Sequence, residues 1–173
     1  GYTDYSLRKF FESAAKEKWF INTLFVITSD HTFQYGKRLA PRYENRAGYF
    51  SVPLFFFSPG DSLVGQSDVL IQHTDIIPSI LDYLKYSGSV LSFGTSVFSD
   101  TISRTAIQYL DNIYQIENDQ YCLLHDGIKA IGLYRYMEDF HFEKNLLESE
   151  NAIAEQLTKK LEASLQTYRH VLI

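Results

Sequence analysis

The chain's hydrophobic pattern is least ambiguous over residues 23–28, Thr-Leu-Phe-Val-Ile-Thr, which are apolar or β-branched without alternation. Such a run predicts a strand buried on both faces, as in a parallel sheet covered by helices. It stops abruptly at Ser29-Asp30-His31-Thr32. Before it, residues 2–19 space Tyr5, Leu7, Phe10, Phe11, Ala14 and Trp19 near helical intervals, with charged residues between them. That spacing predicts an amphipathic helix, with Thr3 or Asp4 as its cap. Residues 50–57, Phe-Ser-Val-Pro-Leu-Phe-Phe-Phe, predict a second apolar strand. Pro53 must stand near its start or at an unpaired position, and Ser58-Pro59-Gly60 ends it as a turn. Residues 75–85 predict a helix capped by Thr74 or Asp75. Pro78 is tolerated there in the first turn, and positions 76, 77, 80, 81 and 84 form an apolar stripe that reads as core.

The pattern changes near residue 86. A Gly/Ser-rich connection, Tyr86-Ser87-Gly88 to Gly94-Thr95-Ser96, leads to four short runs rich in β-branched and aromatic residues: 105–110, 113–116, 121–124 and 130–136. Asp111-Asn112, Glu117-Asn118-Asp119 and Asp126-Gly127 separate them. This predicts an antiparallel meander with hairpin turns. A final amphipathic helix is expected over about 150–171, with Ile153, Leu157, Leu161, Leu165 and Tyr168 as its stripe. The expected fold class is α/β, with two parts: an α/β core over 1–95 and a meander-plus-helix subdomain over 96–173.

Composition narrows the function classes. The chain has 173 residues, is 45% hydrophobic and carries 13 Tyr and 13 Phe, which is globular rather than disordered. Its formal net charge is -5, so a nucleic-acid partner is not expected, since one needs a basic face. Cys122 is the one cysteine, which excludes an intramolecular disulfide and a cysteine-rich zinc site; it reads as core. No apolar run approaches membrane-spanning length. The chain opens on Gly1 rather than Met, and it is expected to be a piece of a longer protein.

The candidate chemistry lies where the first strand ends. In open α/β sheets, ligands bind beyond the carboxyl ends of strands, and Asp30 and His31 offer a carboxylate and an imidazole there. Adjacent residues on a regular strand face opposite ways, so both reach one ion only if the chain has left the strand at Asp30. Taken alone, the pair also describes a turn-capping Asp and an ordinary loop histidine, the commoner outcome for so short a motif. Lys37, Arg38, Arg42 and Arg46 follow in a polar loop, suited either to an anionic ester or to plain solvation. His73 is either a donor to substrate oxygens or a helix-entry histidine satisfied by backbone.

Taken in order, the first helix, Asn22-Thr-Leu-Phe-Val-Ile-Thr-Ser-Asp-His-Thr32, Val52-Pro-Leu-Phe-Phe-Phe-Ser-Pro-Gly60, Thr74-Asp-Ile-Ile-Pro-Ser-Ile-Leu81, then Leu133-Tyr134 with Glu138-Asp139, Glu143 and Asn145-Leu146, resemble the C-terminal part of a sulfatase-family protein of the alkaline phosphatase superfamily. Within it, the branch of lipoteichoic acid synthases and related phosphoglycerol transferases is most similar. The resemblance implies that the 1–95 part is the C-terminal half of a catalytic core in a sandwich fold. It implies that Asp30 and His31 are ligands of a divalent cation, Mn²⁺ first, with Mg²⁺, Zn²⁺ or Ca²⁺ as alternatives. It also implies that 75–79 is a structural signature near the site, and that the domain lies outside the cytoplasmic membrane, tethered by upstream helices. Ser79 stands where the family commonly has Thr, Phe140 where many sulfatases have Pro, and His73 where many relatives are apolar. The family's nucleophile and its other ligands lie upstream of these motifs, so no catalytic nucleophile is assigned here.

Two function classes remain. One is part of a metal-dependent sulfatase-type hydrolase or phosphoglycerol transferase acting on sulfate or phosphate esters, inactive without its upstream half. The other is a non-catalytic structural or interaction module that keeps the fold. Under the first, Lys37, Arg42 and His73 are substrate-binding candidates. The expected partners are an anionic ester, the upstream half of the same protein, and further copies of the chain meeting through exposed core surface.

Overall fold

Helix α1 (Tyr2–Ala14) opens the chain in a computed structural model that describes residues 1–32, 40–100 and 103–172. Two compact units divide the chain: residues 1–32 with 51–67, and residues 33–50 with 68–173. Among the described residues no helix is long and apolar enough to cross a membrane.

The first unit is organised by aromatic contacts. Strand β1 (Phe25–Thr28) pairs antiparallel with β2 (Leu54–Phe57), in the register Phe25↔Phe57 to Thr28↔Leu54. Phe11 of α1 meets Phe25 and Phe57 edge-on at centroid distances of 5.1 and 5.7 Å. Phe20 closes on Phe25 at 5.5 Å. Pro53 stands just before β2, where it displaces no ladder bond, and its carbonyl accepts from the Thr28 hydroxyl at 2.9 Å. Gly60 ends the segment at a place where a Cβ would lie 2.3 Å from the Ile21 carbonyl oxygen.

Four expectations are corrected here. The helix stops at Ala14 rather than near 19, and Gly1, not Thr3 or Asp4, takes the N-cap position. Its end tightens through bonds from Lys16 N–H to Ser13 and from Glu17 N–H to Ala14. That turn folds Trp19 and Phe20 back over Phe25, and aromatic burial outweighs another helical turn. The sheet is antiparallel, and it is not buried on both faces: Phe55 is 58% exposed and Phe57 41%. β2 alternates half-buried and exposed residues, because α1 and the Trp19–Phe20 turn cover little beyond the Phe25 end.

In the second unit, α2 (Ile76–Tyr83) follows a 3₁₀ turn over His73–Asp75, with Pro78 in its first turn. The buried positions of this segment are polar, Asp75 and Ser79, while Ile77 and Leu84 of the expected core stripe are exposed. Strands β3 (Ala106–Leu110), β4 (Ile113–Glu117), β5 (Cys122–His125) and β6 (Ala130–Tyr134) form the expected antiparallel meander in the order β3-β4-β5-β6. Asp111 and Asn112 at φ of 51° and 61° make the β3–β4 turn, the double left-handed geometry that suits the twist of a two-residue hairpin. Helix α3 (Asn151–Leu172) packs Ala154, Leu157 and Leu161 onto Ile116, Leu123 and Leu133. Tyr168 lies past the end of that core, 53% exposed, with its ring 5.5 Å from Phe93. Cys122 is fully buried. The architecture is mixed α/β, with antiparallel sheets and a packed C-terminal helix.

Candidate functional site

The chain leaves β1 at Thr28, and the next residues turn inward on themselves. The Asp30 carboxylate accepts the His31 backbone N–H at 2.9 Å through Oδ1. Its other oxygen, Oδ2, stands 3.4 Å from His31 Nε2. The two side chains converge although they are sequence neighbours, because the strand has ended before them. Both are exposed, His31 at 58% and Asp30 at 86%.

The imidazole is oriented by a second contact: Nδ1 lies 2.9 Å from the Thr32 carbonyl. A carbonyl only accepts, so Nδ1 carries the hydrogen, a tautomer assigned from its partner. A neutral ring then turns the lone pair of Nε2 toward an anionic carboxylate oxygen. Two acceptors facing each other call for a positive charge between them, either a proton on Nε2 or a cation. The donor set fits a divalent metal. Two ligand atoms about 2.1 Å from one ion stand roughly 3.0 Å apart at an octahedral angle and 3.4 Å at a tetrahedral one, and the observed 3.4 Å lies at the wide end of that interval. A backbone carbonyl on the far nitrogen is also the usual second contact of a ligating histidine. Among the described residues, no three His, Cys, Asp or Glu side chains gather as a metal-binding group.

The other sequence candidates fall elsewhere. Lys37 lies outside the described residues. Arg42 and His73 belong to the second unit, whereas Asp30 and His31 belong to the first. The Arg42 guanidinium is turned onto its neighbour, donating to the Tyr43 hydroxyl at 2.8 Å and lying 4.8 Å from that ring's centroid. His73 is exposed at the start of the 3₁₀ turn. Arg46 is not a solvated loop cation: it donates to the Leu110 carbonyl at 2.6 Å and reaches toward Asp111 at 3.9 Å.

Sequence reasoning marked 75–79 as a signature without finding what it does. Asp75, 5% exposed, accepts the Gln72 N–H at 3.0 Å and the Thr95 N–H at 2.8 Å. Ser79 donates to the Asp75 carbonyl at 2.6 Å and accepts the Val97 N–H at 2.9 Å. Ser96 donates to Asp82 at 2.6 Å, which holds that carboxyl below the ordinary carboxylate value. Gly94 closes the clamp, since a Cβ there would stand 2.1 Å from the Thr74 carbonyl oxygen. The Gly/Ser-rich connection is therefore pinned to α2. Gln72 and Asp75 form a capping box, but Gln-x-x-Asp is not the Ser/Thr-x-x-Glu/Gln pattern by which such a box is read from sequence.

The later motif also acts on backbone. Asn145 Oδ1 accepts the Leu133 and Leu147 N–H groups, each at 3.1 Å. At Asp139, burial pushes the carboxyl up, but the N–H groups of Lys144, Glu143 and His141 outweigh it and hold the carboxyl below its ordinary value.

The fold is similar to that of a solved protein whose own superfamily is that of alkaline phosphatase. That protein, from Vibrio parahaemolyticus, superposes with a TM-score of 0.68 at 18% identity, over 98% of this chain and 40% of that one. This chain therefore spans well under half the length of that neighbour. The sulfatase family model matches residues 1–86, a span that holds both β strands of the first unit, the Asp30–His31 pair and the Asp75–Ser79 clamp. Members of the superfamily generally use a divalent metal. No curated protein matches the chain.

Proposed function

We propose that the chain is part of a metal-dependent enzyme acting on sulfate or phosphate esters, either a sulfuric ester hydrolase or a phosphoglycerol transferase. The observation that carries this reading is the 3.4 Å approach of Asp30 Oδ2 and His31 Nε2 at the end of β1, within the segment matched by the sulfatase family model. In it, Asp30 and His31 are two ligands of a divalent cation, with Mn²⁺ the first choice. When bound, such a cation supplies Lewis acidity toward an ester oxygen and favours ionisation of a hydroxyl nucleophile.

This chain's own contribution is positioning. Asp30 supplies a hard anionic oxygen, and the His31 N–H fixes its rotamer through Oδ1. The Thr32 carbonyl holds the His31 tautomer that leaves Nε2 unprotonated. Lys37, Arg42 and His73 are proposed as donors to the anionic ester, on the chemistry of each side chain. Residues 1–95 are read as the C-terminal half of the catalytic core and 96–173 as its meander subdomain. An upstream half supplies the nucleophile and the remaining ligands, and the domain sits outside the cytoplasmic membrane on an N-terminal anchor, in the manner of the lipoteichoic acid synthase branch.

A second reading is a non-catalytic module that keeps the fold. The complete protein separates the two. Its turnover of an aryl sulfate or an aryl phosphodiester with Mn²⁺ should be abolished by Asp30→Ala. Full turnover of that variant at saturating Mn²⁺ removes Asp30 from the ligand set.

A further inference from the structure

The face of the meander turned away from α3 carries an unusual row of buried polar groups. Glu117 of β4 is 5% exposed, Gln115 beside it 1%, and Cys122, the register partner of Glu117 on β5, fully buried. Gln115 Nε2 donates to Glu117 Oε1 and lies 3.4 Å from Gln108 Oε1 on β3. Gln115 Oε1 is buried with no hydrogen-bond partner. Among the described residues, the ion pairs include none to Glu117. A carboxylate kept from water without a cation is costly, so such a group takes up a proton instead.

We propose that Glu117 is a proton-operated latch of the meander: as the neutral acid it stays buried between Gln115 and Cys122, and on ionisation it opens this face and uncovers the Cys122 thiol.

The titratable groups around it do not oppose this. Cys122 on β5 is held neutral, pushed up by burial and then by Glu117. Tyr136, just beyond β6, is likewise raised by burial first and Glu117 second, and its hydroxyl donates to the Asn118 carbonyl at 3.0 Å. Arg46 acts on Cys122 in the opposite sense; its guanidinium donates to the Leu110 carbonyl and stands 3.9 Å from Asp111, its Nε is buried with no hydrogen-bond partner, and it is not among the groups that shift Glu117. At Glu117, burial outweighs the hydrogen bond from Gln115 and lifts the carboxyl from 4.5 to about 7.

The sign follows from proton binding. Between those two values the native state holds a proton that the unfolded state has lost. The stabilisation is complete below 4.5, declines as pH rises, and is gone above about 7. Local opening should become more frequent over the same window.

The test is alkylation of Cys122, the one cysteine of the chain, in the 173-residue protein. The rate is divided by that of the urea-unfolded chain at each pH, which cancels thiol ionisation. Protection should fall roughly tenfold or more between pH 5.5 and 8. In Glu117→Gln, a neutral isostere, protection should be nearly independent of pH. Equal pH dependence in both proteins overturns the proposal. An independent reading needs no variant: isotope-edited infrared spectroscopy of the unmodified chain should show a protonated-carboxyl band at pH 6 that disappears by pH 8. Absence of that band at pH 6 also overturns it.

Discussion

The Thr95 amide donates to the buried Asp75 carboxylate at 2.8 Å, twenty positions away along the chain. With the Gln72 N–H on the other oxygen, Asp75 ties a helix entry to a loop that has no regular secondary structure of its own. Asp75→Ala would leave two N–H groups without an acceptor, at about 1–3 kcal/mol each when they stay dry. A loss of about 2–4 kcal/mol in urea unfolding is expected, with Asp75→Asn milder because one oxygen remains. A cost near zero would show that water replaces the carboxylate and that the clamp does not hold the loop.

Ser79 gives a finer version of the same test. Its hydroxyl both donates and accepts inside the fold. Ser79→Ala should cost about 1–2 kcal/mol. Ser79→Thr keeps the hydroxyl, and its stability should stay within about 1 kcal/mol of the unmodified chain if the site admits one more methyl. Equal losses for Ala and Thr would mean that packing, not the hydrogen bonds, decides this position.

These buried polar residues mark where reading the sequence stops. The meander was legible because its apolar runs are short and Asp111-Asn112 is a turn pair with its own chemistry. α3 was legible because Ile153, Leu157, Leu161 and Leu165 repeat at helical spacing. The end of α1 was not, since neither Gly nor Pro stops it; the stop is made by Trp19 and Phe20 meeting Phe25, a contact that exists only once β1 is in place. The antiparallel partner of β1 was hidden for the same reason, because a continuous apolar run does not say which way its neighbour runs. At the candidate site, residue types were readable and geometry was not: Asp30 and His31 converge because of where β1 ends, and Arg42 turns onto Tyr43.

The α3 core offers a calibration. Leu161 is fully buried against the meander, so Leu161→Ala should cost about 2–5 kcal/mol. Tyr168→Ala, on the exposed last turns, should cost under about 1 kcal/mol. Similar losses at both positions would place Tyr168 inside the same cooperative core.

The cation that His31 and Asp30 call for can be identified directly. If a proton fills the gap, nitrogen-detected NMR shows both ring nitrogens of His31 carrying hydrogen. If the site awaits a metal, the ring is neutral with hydrogen on Nδ1, and added Mn²⁺ broadens the His31 and Asp30 resonances before others. His31→Ala should weaken Mn²⁺ binding by tenfold or more, since losing even a hydrogen-bond partner of a ligand costs about tenfold to a hundredfold. Broadening confined to other residues would count against the pair as ligands.

The last prediction concerns what the chain does by itself. β1 and β2 are apolar strands, yet Phe55 and Phe57 are exposed, as are Trp19 at 48% and Ile21 at 60% in the same unit. Exposed apolar surface of this kind, where it is contiguous, tends to find a cover. The upstream half proposed above would supply one, and in its absence copies of the chain should supply one another. The 173-residue chain is expected to elute from a sizing column in a concentration-dependent way, and Phe55→Ser should shift it toward the monomer. With two ligands and no nucleophile, it should not turn over an aryl sulfate or an aryl phosphodiester with Mn²⁺, since losing a nucleophile alone removes several orders of magnitude in rate. Monomeric elution at every concentration would mean that this surface needs no cover. Turnover that vanishes in His31→Ala would mean that the site is complete within these residues, and the division of the enzyme into two halves would have to be abandoned.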